Sequence, residues 1–212
     1  MPRFLVVLDV DSTLIEDEII ELLADAAGSR AEVAAITASA MNGEVDFVES
    51  LRTRVATLEG LSEAVFVDIG AAIRVTEGVP ELVAGVHAAG GRIGVVSGGF
   101  HEIIDPLAAG LGLDRWRANS LEVVDGVLTG RLRGSVVDAA AKADTMRAWA
   151  EIYRIPLRQT VAVGDGANDL PMMAITGLSV GFDAKAPVRD EADIVMDVRD
   201  LSQLLPLLGL RG

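Results

Sequence analysis

FLVVLDVDSTLIEDE, residues 4–18, is the part of the sequence on which our prediction of the architecture depends. Leu5 to Leu8 form a continuous apolar run, which is typical of a buried parallel strand. Asp9 and Asp11 follow at the predicted end of that strand, where open α/β sheets bind their ligands, and they point the same way if the extended chain continues. Two like charges so close resist joint ionisation unless a cation or a shared proton offsets them. The stretch therefore indicates either a chemical site or an ordinary turn that caps a helix.

The composition limits the class of protein and its partners. The chain has 212 residues, enough for one sizeable domain or for a core domain with a small insertion. Its net charge of −14 argues against nucleic acid or an anionic membrane as partner. It contains no cysteine, which excludes disulfides, zinc–thiolate sites and a cysteine nucleophile. Without a secretory signal or a membrane-spanning apolar run, we expect a cytoplasmic protein that acts on a small molecule as a monomer or homodimer.

The segment after the first strand predicts several helices in succession. Apolar residues recur at helical spacing from Leu14, and Gly28 ends that first helix. Three further helices follow before residue 77. Four helices after one strand are too many for a single βαβ crossover, so we predict a helical insertion over roughly residues 14–76.

From Glu77 onward, helices and strands alternate as they do around a parallel sheet. Strands are predicted at residues 92–96, 160–163, 178–181 and 194–196. Asp125 and Gly126 join two short runs into a hairpin, which we expect to be an addition at the edge of the sheet. The fold class is therefore α/β, with a mainly parallel sheet and a helical insertion after the first strand.

Two motifs could hold an anion. Ser97, Gly98 and Gly99 lie between a predicted strand and a helix, and they offer a hydroxyl and unhindered backbone N–H groups. A tight turn that requires glycine is the alternative. Lys142 lies near the start of a predicted helix, where a cation is unfavourable to the helix dipole. An anionic partner would explain that position, and a solvated surface lysine is the alternative.

The sequence GDGAND, residues 164–169, is a candidate metal site. Asp169 occupies the third glycine position of a dinucleotide fingerprint and Asp165 stands where a pyrophosphate would approach, so the motif favours a divalent metal instead. At a second strand end, these two residues can join Asp9 and Asp11 at one rim of the sheet, where they offer the oxygen ligands that Mg²⁺ prefers. A turn rich in Gly, Asn and Asp is the alternative.

Together these motifs resemble the four motifs of the haloacid dehalogenase superfamily of phosphohydrolases, and in particular its branch that acts on phosphoserine. The motifs are DVDST at residues 9–13, Ser97 with Gly98, Lys142, and GDGAND. The resemblance covers nearly the whole chain. It implies a three-layer Rossmannoid core in residues 1–13 and 77–212 and a small helical cap domain in residues 14–76. One departure is Ala143, where many relatives have a glycine after the lysine.

The resemblance implies a Mg²⁺-dependent phosphatase that forms an aspartyl-phosphate. Asp9 would be the nucleophile, and Asp11 would protonate the departing oxygen and then deprotonate the attacking water. Asp9, the main-chain carbonyl of Asp11 and Asp165 would bind Mg²⁺, and Asp169 would steady the site as an outer carboxylate.

The same resemblance assigns phosphate contacts to four residues. Ser97, the Gly98 N–H and Lys142 would hold the phosphate oxygens, and Asn168 would contact the phosphate or a water. Substrate specificity would come from the insertion.

Glu18 would pair with the substrate ammonium, and Arg54 would bind its carboxylate through two parallel hydrogen bonds. Phe47 lies seven residues before Arg54, so the two share a helix face, and Met41 would complete an apolar wall. An acid in a helix first turn, a core aromatic and a surface cation are the ordinary alternatives for Glu18, Phe47 and Arg54. Only the resemblance selects Arg54 over Arg52.

The function that the resemblance implies is hydrolysis of O-phospho-L-serine, the last step of serine biosynthesis. Transfer of the phosphoryl group to another alcohol such as homoserine, or hydrolysis of another small phosphomonoester, is the enzymatic alternative. A receiver-like module that only accepts phosphate is the non-enzyme alternative, and it leaves the four helices unexplained. Some relatives carry an N-terminal regulatory domain, whereas this chain begins at the first catalytic strand, so we expect no feedback regulation through such a domain. His87 and His101 lack a paired ligand motif, and we expect them to be structural or solvent-facing.

Overall fold

The structure is a computed structural model that describes residues 2–41 and 44–210, with only the backbone of Met41. Within these residues, seven strands form one sheet in the order β4-β3-β2-β1-β5-β6-β7. The strands are β1 Leu5–Leu8, β2 Arg92–Phe100, β3 Arg115–Val124, β4 Val127–Arg133, β5 Thr160–Gly164, β6 Leu178–Phe182 and β7 Ile194–Met196. The helices are α1 Ile19–Ala27, α2 Arg30–Met41, α3 Phe47–Ala56, α4 Val65–Ala72, α5 Val79–Ala88, α6 His101–Leu111, α7 Ala139–Tyr153, α8 Leu170–Met173, α9 Ala186–Glu191 and α10 Leu204–Leu207.

β1 is the central strand, and it is buried on both faces. It pairs in parallel with β2 and β5, with Leu5 opposite Arg92 and Thr160. Val6 and Leu8 belong to the apolar cluster under α1, α5 and α6, and Leu5 and Val7 to the cluster under α7 and α8. This alternation between two buried faces confirms the predicted layers of helix, mainly parallel sheet and helix.

The chain after β1 differs from the prediction. The first helix begins at Ile19 and not at Leu14, because residues 10–14 form an irregular turn in which Ser12 adopts a φ of 57°. Ile15 then makes an isolated antiparallel bridge with Val75, at the other end of the helical insertion. The extended strand that would have aligned Asp9 with Asp11 therefore ends before them, and the turn sets their positions.

The hairpin is more than an edge addition. β3 begins at Arg115 and pairs in parallel with β2 before it turns antiparallel to β4 at Ser120, so it is a full member of the sheet. β4 lies at the sheet edge, as predicted. Its outer side receives the helical insertion, since Gly60 N donates to Leu128 O at 2.9 Å and Leu128 N to Leu61 O at 2.8 Å. The insertion is thus joined to the core by main-chain hydrogen bonds.

Across residues 2–41 and 44–210, none of the helices is long and apolar enough to cross a membrane.

Candidate active site

Three parallel strands deliver the acidic and hydroxyl groups of the site to one rim of the sheet. Asp9 follows β1, Ser97 lies near the end of β2, and Asp165 follows β5. Lys142 comes from the first turn of α7, whose N-terminus is capped because the Asp138 carboxylate accepts from Ala141 N at 2.8 Å. The structure therefore brings together motifs that are up to 156 residues apart in sequence, from Asp9 to Asp165.

A buried carboxylate cluster lies at the centre of the site. Asp9, Asp165 and Asp169 each offer an oxygen, and these oxygens lie within 4.8 Å of one another. The ammonium of Lys142 is 2.7 Å from Asp9 Oδ2 and 2.8 Å from Asp169 Oδ1, and its side chain is fully buried. Burial would lower the pKa of Lys142, but the Asp169 and Asp9 carboxylates raise it above its ordinary value. Lys142 is thus a permanent cation within the cluster, and a solvated surface lysine is excluded.

Two hydrogen bonds hold the carboxylate of Asp11, which lies in the turn after β1. Asp11 Oδ1 accepts from Ile19 N at 2.7 Å, and Asp11 Oδ2 accepts from Ser97 Oγ at 3.3 Å. Burial and the nearby Asp9 charge raise the pKa of Asp11 to about 7. A carboxyl group with that pKa exists in both protonation states near neutral pH.

Asn119 holds the Ser97–Gly98–Gly99 segment in place, and our sequence analysis had not singled it out. Asn119 of β3 donates to Gly98 O at 2.8 Å and accepts from Val137 N at 2.7 Å. Gly98 leaves room for the insertion, because a Cβ there would lie 2.7 Å from Phe47 Cζ. The helical insertion therefore packs directly on this segment.

Arg54 is a buried cation, although its helix α3 is amphipathic and carries the exposed Arg52 nearby. Only 2% of Arg54 is exposed. Its Nε donates to Ser50 O at 3.2 Å, its Nη1 donates to Thr37 Oγ1 at 3.0 Å, and its guanidinium carbon lies 6.0 Å from the centroid of the Phe47 ring. Burial lowers the pKa of Arg54 even though Glu18 and other acids oppose the shift. The structure thus separates Arg54 from Arg52, which the sequence pattern alone could not do.

Glu18 faces the site from the N-terminus of α1. It is partly buried and accepts from Ser12 Oγ at 2.7 Å. Burial, with a smaller contribution from the Asp11 charge, raises the pKa of Glu18 to about 8. A buried acid with this pKa is a group that a cation would stabilise in its ionised form.

A small cavity of about 20 Å³ lies between the insertion and the core. The predicted residues that line it are Asp9, Asp11, Glu18, Phe47, Arg54, Gly98 and Asn168. Within the described part of the chain, the buried Asn168 Oδ1 has no hydrogen-bond partner. Ser97, Lys142, Asp165 and Asp169 are buried residues that do not line it. The side chain of Met41 lies outside the described residues.

A larger, open cleft of about 690 Å³ lies elsewhere, against the start of β1 and residues 208–210. Among the described residues, its lining contains Arg3 and Arg158 but neither Asp nor Glu, so those residues do not supply the groups for acid–base or metal chemistry. We therefore place the chemistry in the smaller cavity.

The donor set of the cluster fits a divalent cation. Its three side chains are all carboxylates, which are the hard oxygen ligands that suit Mg²⁺, Ca²⁺ and Mn²⁺. Asp169, expected in an outer position, also lies within this group and is tied to Lys142.

Sequence reasoning missed Lys185, whose Nζ donates to Asp165 Oδ2. It also missed Thr37, the acceptor for Arg54. Each histidine lies within hydrogen-bond distance of a carboxylate, His87 Nε2 of Asp114 at 2.8 Å and His101 Nδ1 of Asp105 at 2.6 Å, so both make structural contacts.

The fold and the site define a class of hydrolase. A model of the haloacid dehalogenase-like hydrolase family matches residues 6–174, and the chain belongs to that family. Within it, the chain is 46% identical over 201 residues to a phosphoserine phosphatase of Lactococcus lactis, which covers 95% of this chain and 93% of that protein. It is 51% identical over 206 residues to a phosphoserine phosphatase of Streptomyces coelicolor, which covers 97% of this chain.

The chain spans only 50% of the Streptomyces protein. A solved structure described as a phospho-aspartyl intermediate analogue of phosphoserine phosphatase superposes with a TM-score of 0.94. That structure is 39% identical, and the match covers 98% of this chain and 99% of that one.

Proposed function

We propose that this chain is a Mg²⁺-dependent phosphatase that hydrolyses O-phospho-L-serine through an aspartyl-phosphate. The observation that carries the proposal is the lining of one small cavity. The core contributes Asp9 and Asp11, and the insertion contributes Glu18 and Arg54. Phosphoserine carries a phosphate, an ammonium and a carboxylate, and the cavity has a candidate partner for each. Similarity to phosphoserine phosphatases over almost the whole chain supports the same substrate.

The chemistry assigned to the chain's own residues is two displacements at phosphorus. A carboxylate oxygen of Asp9 attacks, the bond from phosphorus to the seryl oxygen breaks, and Asp11 donates a proton to that oxygen. Asp11 then takes a proton from water as the water attacks phosphorus and releases Asp9. The hydrogen bond from Ile19 N holds the Asp11 carboxyl group in place for both steps, while the Ser97 hydroxyl, which donates to Asp11 in the structure, turns its single proton to the phosphate.

The phosphate would be held by groups that surround Asp9. Lys142, the Ser97 hydroxyl and the Gly98 N–H are the proposed donors, and the Lys142 ammonium already lies 2.7 Å from Asp9. Asn168 has a buried amide at the cavity wall and is the proposed contact to phosphate or water. Positioning and electrostatic stabilisation dominate catalysis of phosphoryl transfer, so fixed buried donors suit the reaction.

Mg²⁺ would be held by the carboxylates of Asp9 and Asp165 with the main-chain carbonyl of Asp11. The bound cation supplies positive charge that offsets the repulsion between a carboxylate nucleophile and a phosphate dianion. Asp169 would steady the site through its bond to Lys142.

Substrate selection is assigned to the insertion. Among the described residues, three of the five N–H groups of Arg54 donate to Ser50 or Thr37. The bond from Nη2 to Ser50 Oγ is long, at 3.5 Å. The remaining donors can form the two parallel bonds that a carboxylate accepts. Glu18 would pair with the ammonium, and the apolar wall proposed for Met41 and Phe47 stays part of the prediction.

The substrate assignment is tested with two variants on one helix and two substrates. Arg54→Ala should lower kcat/KM for phosphoserine about 100-fold, because a charged group that is desolvated in the site loses its partner. Phosphoethanolamine has the ammonium but no carboxylate, so its kcat/KM should change far less. Arg52→Ala, which removes an exposed charge two residues earlier, is the matched control and should change neither.

Equal losses on both substrates would remove the carboxylate-binding role from Arg54. The reaction itself is tested by phosphate release from a panel of phosphomonoesters, with Mg²⁺ and with a chelator. Adding homoserine and searching for its phosphorylated product separates hydrolysis from transfer. The role in serine biosynthesis and the cytoplasmic location are part of the proposal, and growth of a phosphoserine-phosphatase-deficient serine auxotroph carrying this chain tests the pathway.

A further inference from the structure

The chain uses lysine at only two of its 212 positions, Lys142 and Lys185, against 16 arginines. Both lysines lie at the carboxylate cluster. Lys142 bonds Asp9 and Asp169, and Lys185 Nζ donates to Asp165 Oδ2. An ammonium is a compact point charge on a flexible stem, whereas a guanidinium is a wide planar fork. The chain therefore has a lysine, the more compact of its two kinds of permanent cation, only beside these buried carboxylates.

The two lysines differ in their freedom to move. The Lys142 side chain is fully buried between two carboxylates, so its ammonium has no path to solvent. The Lys185 side chain is 32% exposed and its ammonium is paired with Asp165. The Lys185 backbone is fixed, because its N–H donates to Asp165 O at 2.9 Å at the start of α9. Its four-carbon stem can therefore swing the ammonium to water while the backbone stays in place.

Asp165 has two roles that compete for the same carboxylate. It belongs to the three carboxylates that fit a divalent cation, and its Oδ2 accepts from the Lys185 ammonium. A buried carboxylate needs a nearby positive charge to remain ionised at low cost. We propose that Lys185 is an exchangeable counter-ion, which pairs with Asp165 before a divalent cation binds and is displaced from it when the cation binds.

This inference rests on the metal site of the proposed function, but not on its substrate. The pairing of Lys185 with Asp165 has two consequences that can be measured without substrate. Lys185 lowers the apparent affinity for the cation, because the cation must break an existing ion pair. It also stabilises the cation-free fold, because it compensates a charge that would otherwise be buried alone.

The exchange can be followed by the reactivity of the amines. Reductive methylation at low conversion, read by peptide mass spectrometry, gives the rate at which the Lys185 amine is modified. The N-terminal amine is the internal standard. We expect Lys185 to react at least about fivefold faster in saturating Mg²⁺ than in a chelator, because an amine freed from an ion pair is the more reactive one. Lys142 should stay unmodified in both. Equal or slower modification of Lys185 in Mg²⁺ would overturn the proposal.

Substitution gives an independent measure. Lys185→Met should tighten Mg²⁺ binding about tenfold by calorimetry and lower the midpoint of thermal unfolding in the chelator. Lys185→Arg, which keeps a cation beside Asp165, should stay closer to the unsubstituted protein in both measurements. Arg189→Met removes an exposed charge from the same helix, where Arg189 pairs with Asp197, and it should leave Mg²⁺ affinity unchanged.

Weaker or unchanged Mg²⁺ binding by Lys185→Met would contradict displacement. If the unsubstituted chain binds no Mg²⁺ at all, this inference and the proposed metal site are both wrong. If it binds Mg²⁺ and hydrolyses phosphoserine while Lys185 reactivity stays constant, only the inference is wrong.

Discussion

Replacing Gly98 by alanine tests whether catalysis requires the insertion to pack on the Ser97–Gly98–Gly99 segment, which is proposed to bind the phosphate. A Cβ at Gly98 would lie 2.7 Å from Phe47 Cζ and 3.6 and 3.7 Å from the two adjacent ring carbons. Carbon atoms attract best at about 3.5–4.0 Å, so one contact is roughly 0.8 Å too short. The backbone of Gly98 is outside the left-handed region, and alanine keeps the N–H that is proposed to bind phosphate. The substitution therefore perturbs one steric contact.

The size of the effect follows from that overlap. Overpacking of a well-packed contact costs about 1–3 kcal/mol. Phe47 begins α3, so the strain is relieved when the insertion moves away from the core. The cost then falls on the closed arrangement, and kcat/KM for phosphoserine should drop about 5-fold to 150-fold. The midpoint of thermal unfolding should change little, since an open arrangement avoids the contact.

Two further variants decide how a loss is interpreted. Phe47→Leu shortens the side chain, and in the Gly98→Ala background it should restore part of the lost kcat/KM. Gly110→Ala is the control, because a Cβ at that position of α6 meets no atom of residues 2–41 or 44–210 within 4 Å. It should leave activity unchanged and raise stability by about 0.5–1 kcal/mol. Unaltered kcat/KM in Gly98→Ala, or a loss that Phe47→Leu does not reduce, would refute the reasoning.

Two other predictions concern single groups of the site. Asp9→Asn should abolish turnover while phosphoserine binding remains measurable by calorimetry, and substantial residual turnover would remove Asp9 from the role of nucleophile. Thr37→Val removes the hydroxyl that accepts from Arg54 Nη1 at 3.0 Å. Since one such bond contributes about 1 kcal/mol, KM for phosphoserine should rise about 5-fold with a smaller change in kcat. A fall in kcat with constant KM would show that Thr37 does not act by positioning Arg54.

The central sheet could be predicted because its strands are short apolar runs buried on both faces. Leu5–Leu8 is the clearest example, with all four side chains buried. The first half of β3 escaped prediction because Arg115, Trp116 and Arg117 are only half-buried and carry no period-two apolar signal. Their extended conformation is imposed by pairing with β2. Local sequence therefore predicts strands that are apolar runs, wherever they lie in the sheet, better than strands whose polar, half-buried side chains are held extended by their neighbours.

The acidic centre of the site could also be predicted, because parallel strands bring their carboxyl ends to the same rim. Asp9 and Asp165 are brought together in this way. The contacts that position these groups could not be predicted, since Asn119 and Thr37 reach their partners only through tertiary packing. Lys185 had one usable signal, the scarcity of lysine in a chain rich in arginine.

The attachment of the insertion to β4 determines how the site can open. A cavity of about 20 Å³ holds little more than a water molecule, so phosphoserine requires opening. Separation at residues 60–63 would break main-chain hydrogen bonds, including Glu63 N to Gly126 O at 2.9 Å, each worth about 0.5–1.5 kcal/mol. Separation of Phe47 from Gly98 loses only van der Waals contacts of about 0.1–0.2 kcal/mol per atom pair. The Phe47 end of α3 should therefore open while residues 60–63 stay on β4.

Arg54 moves with α3 in this opening, whereas Glu18 stays beside the core through its bond with Ser12. The partners of the substrate carboxylate and ammonium would then meet only on closure. Ser62 and Val127 form an antiparallel bridge, a geometry that suits a disulfide, and the chain has no cysteine of its own to compete. Oxidised Ser62→Cys/Val127→Cys should therefore keep kcat/KM within about twofold of its reduced form, because that junction does not open. A loss on oxidation that reduction restores would show that substrate enters at the β4 side.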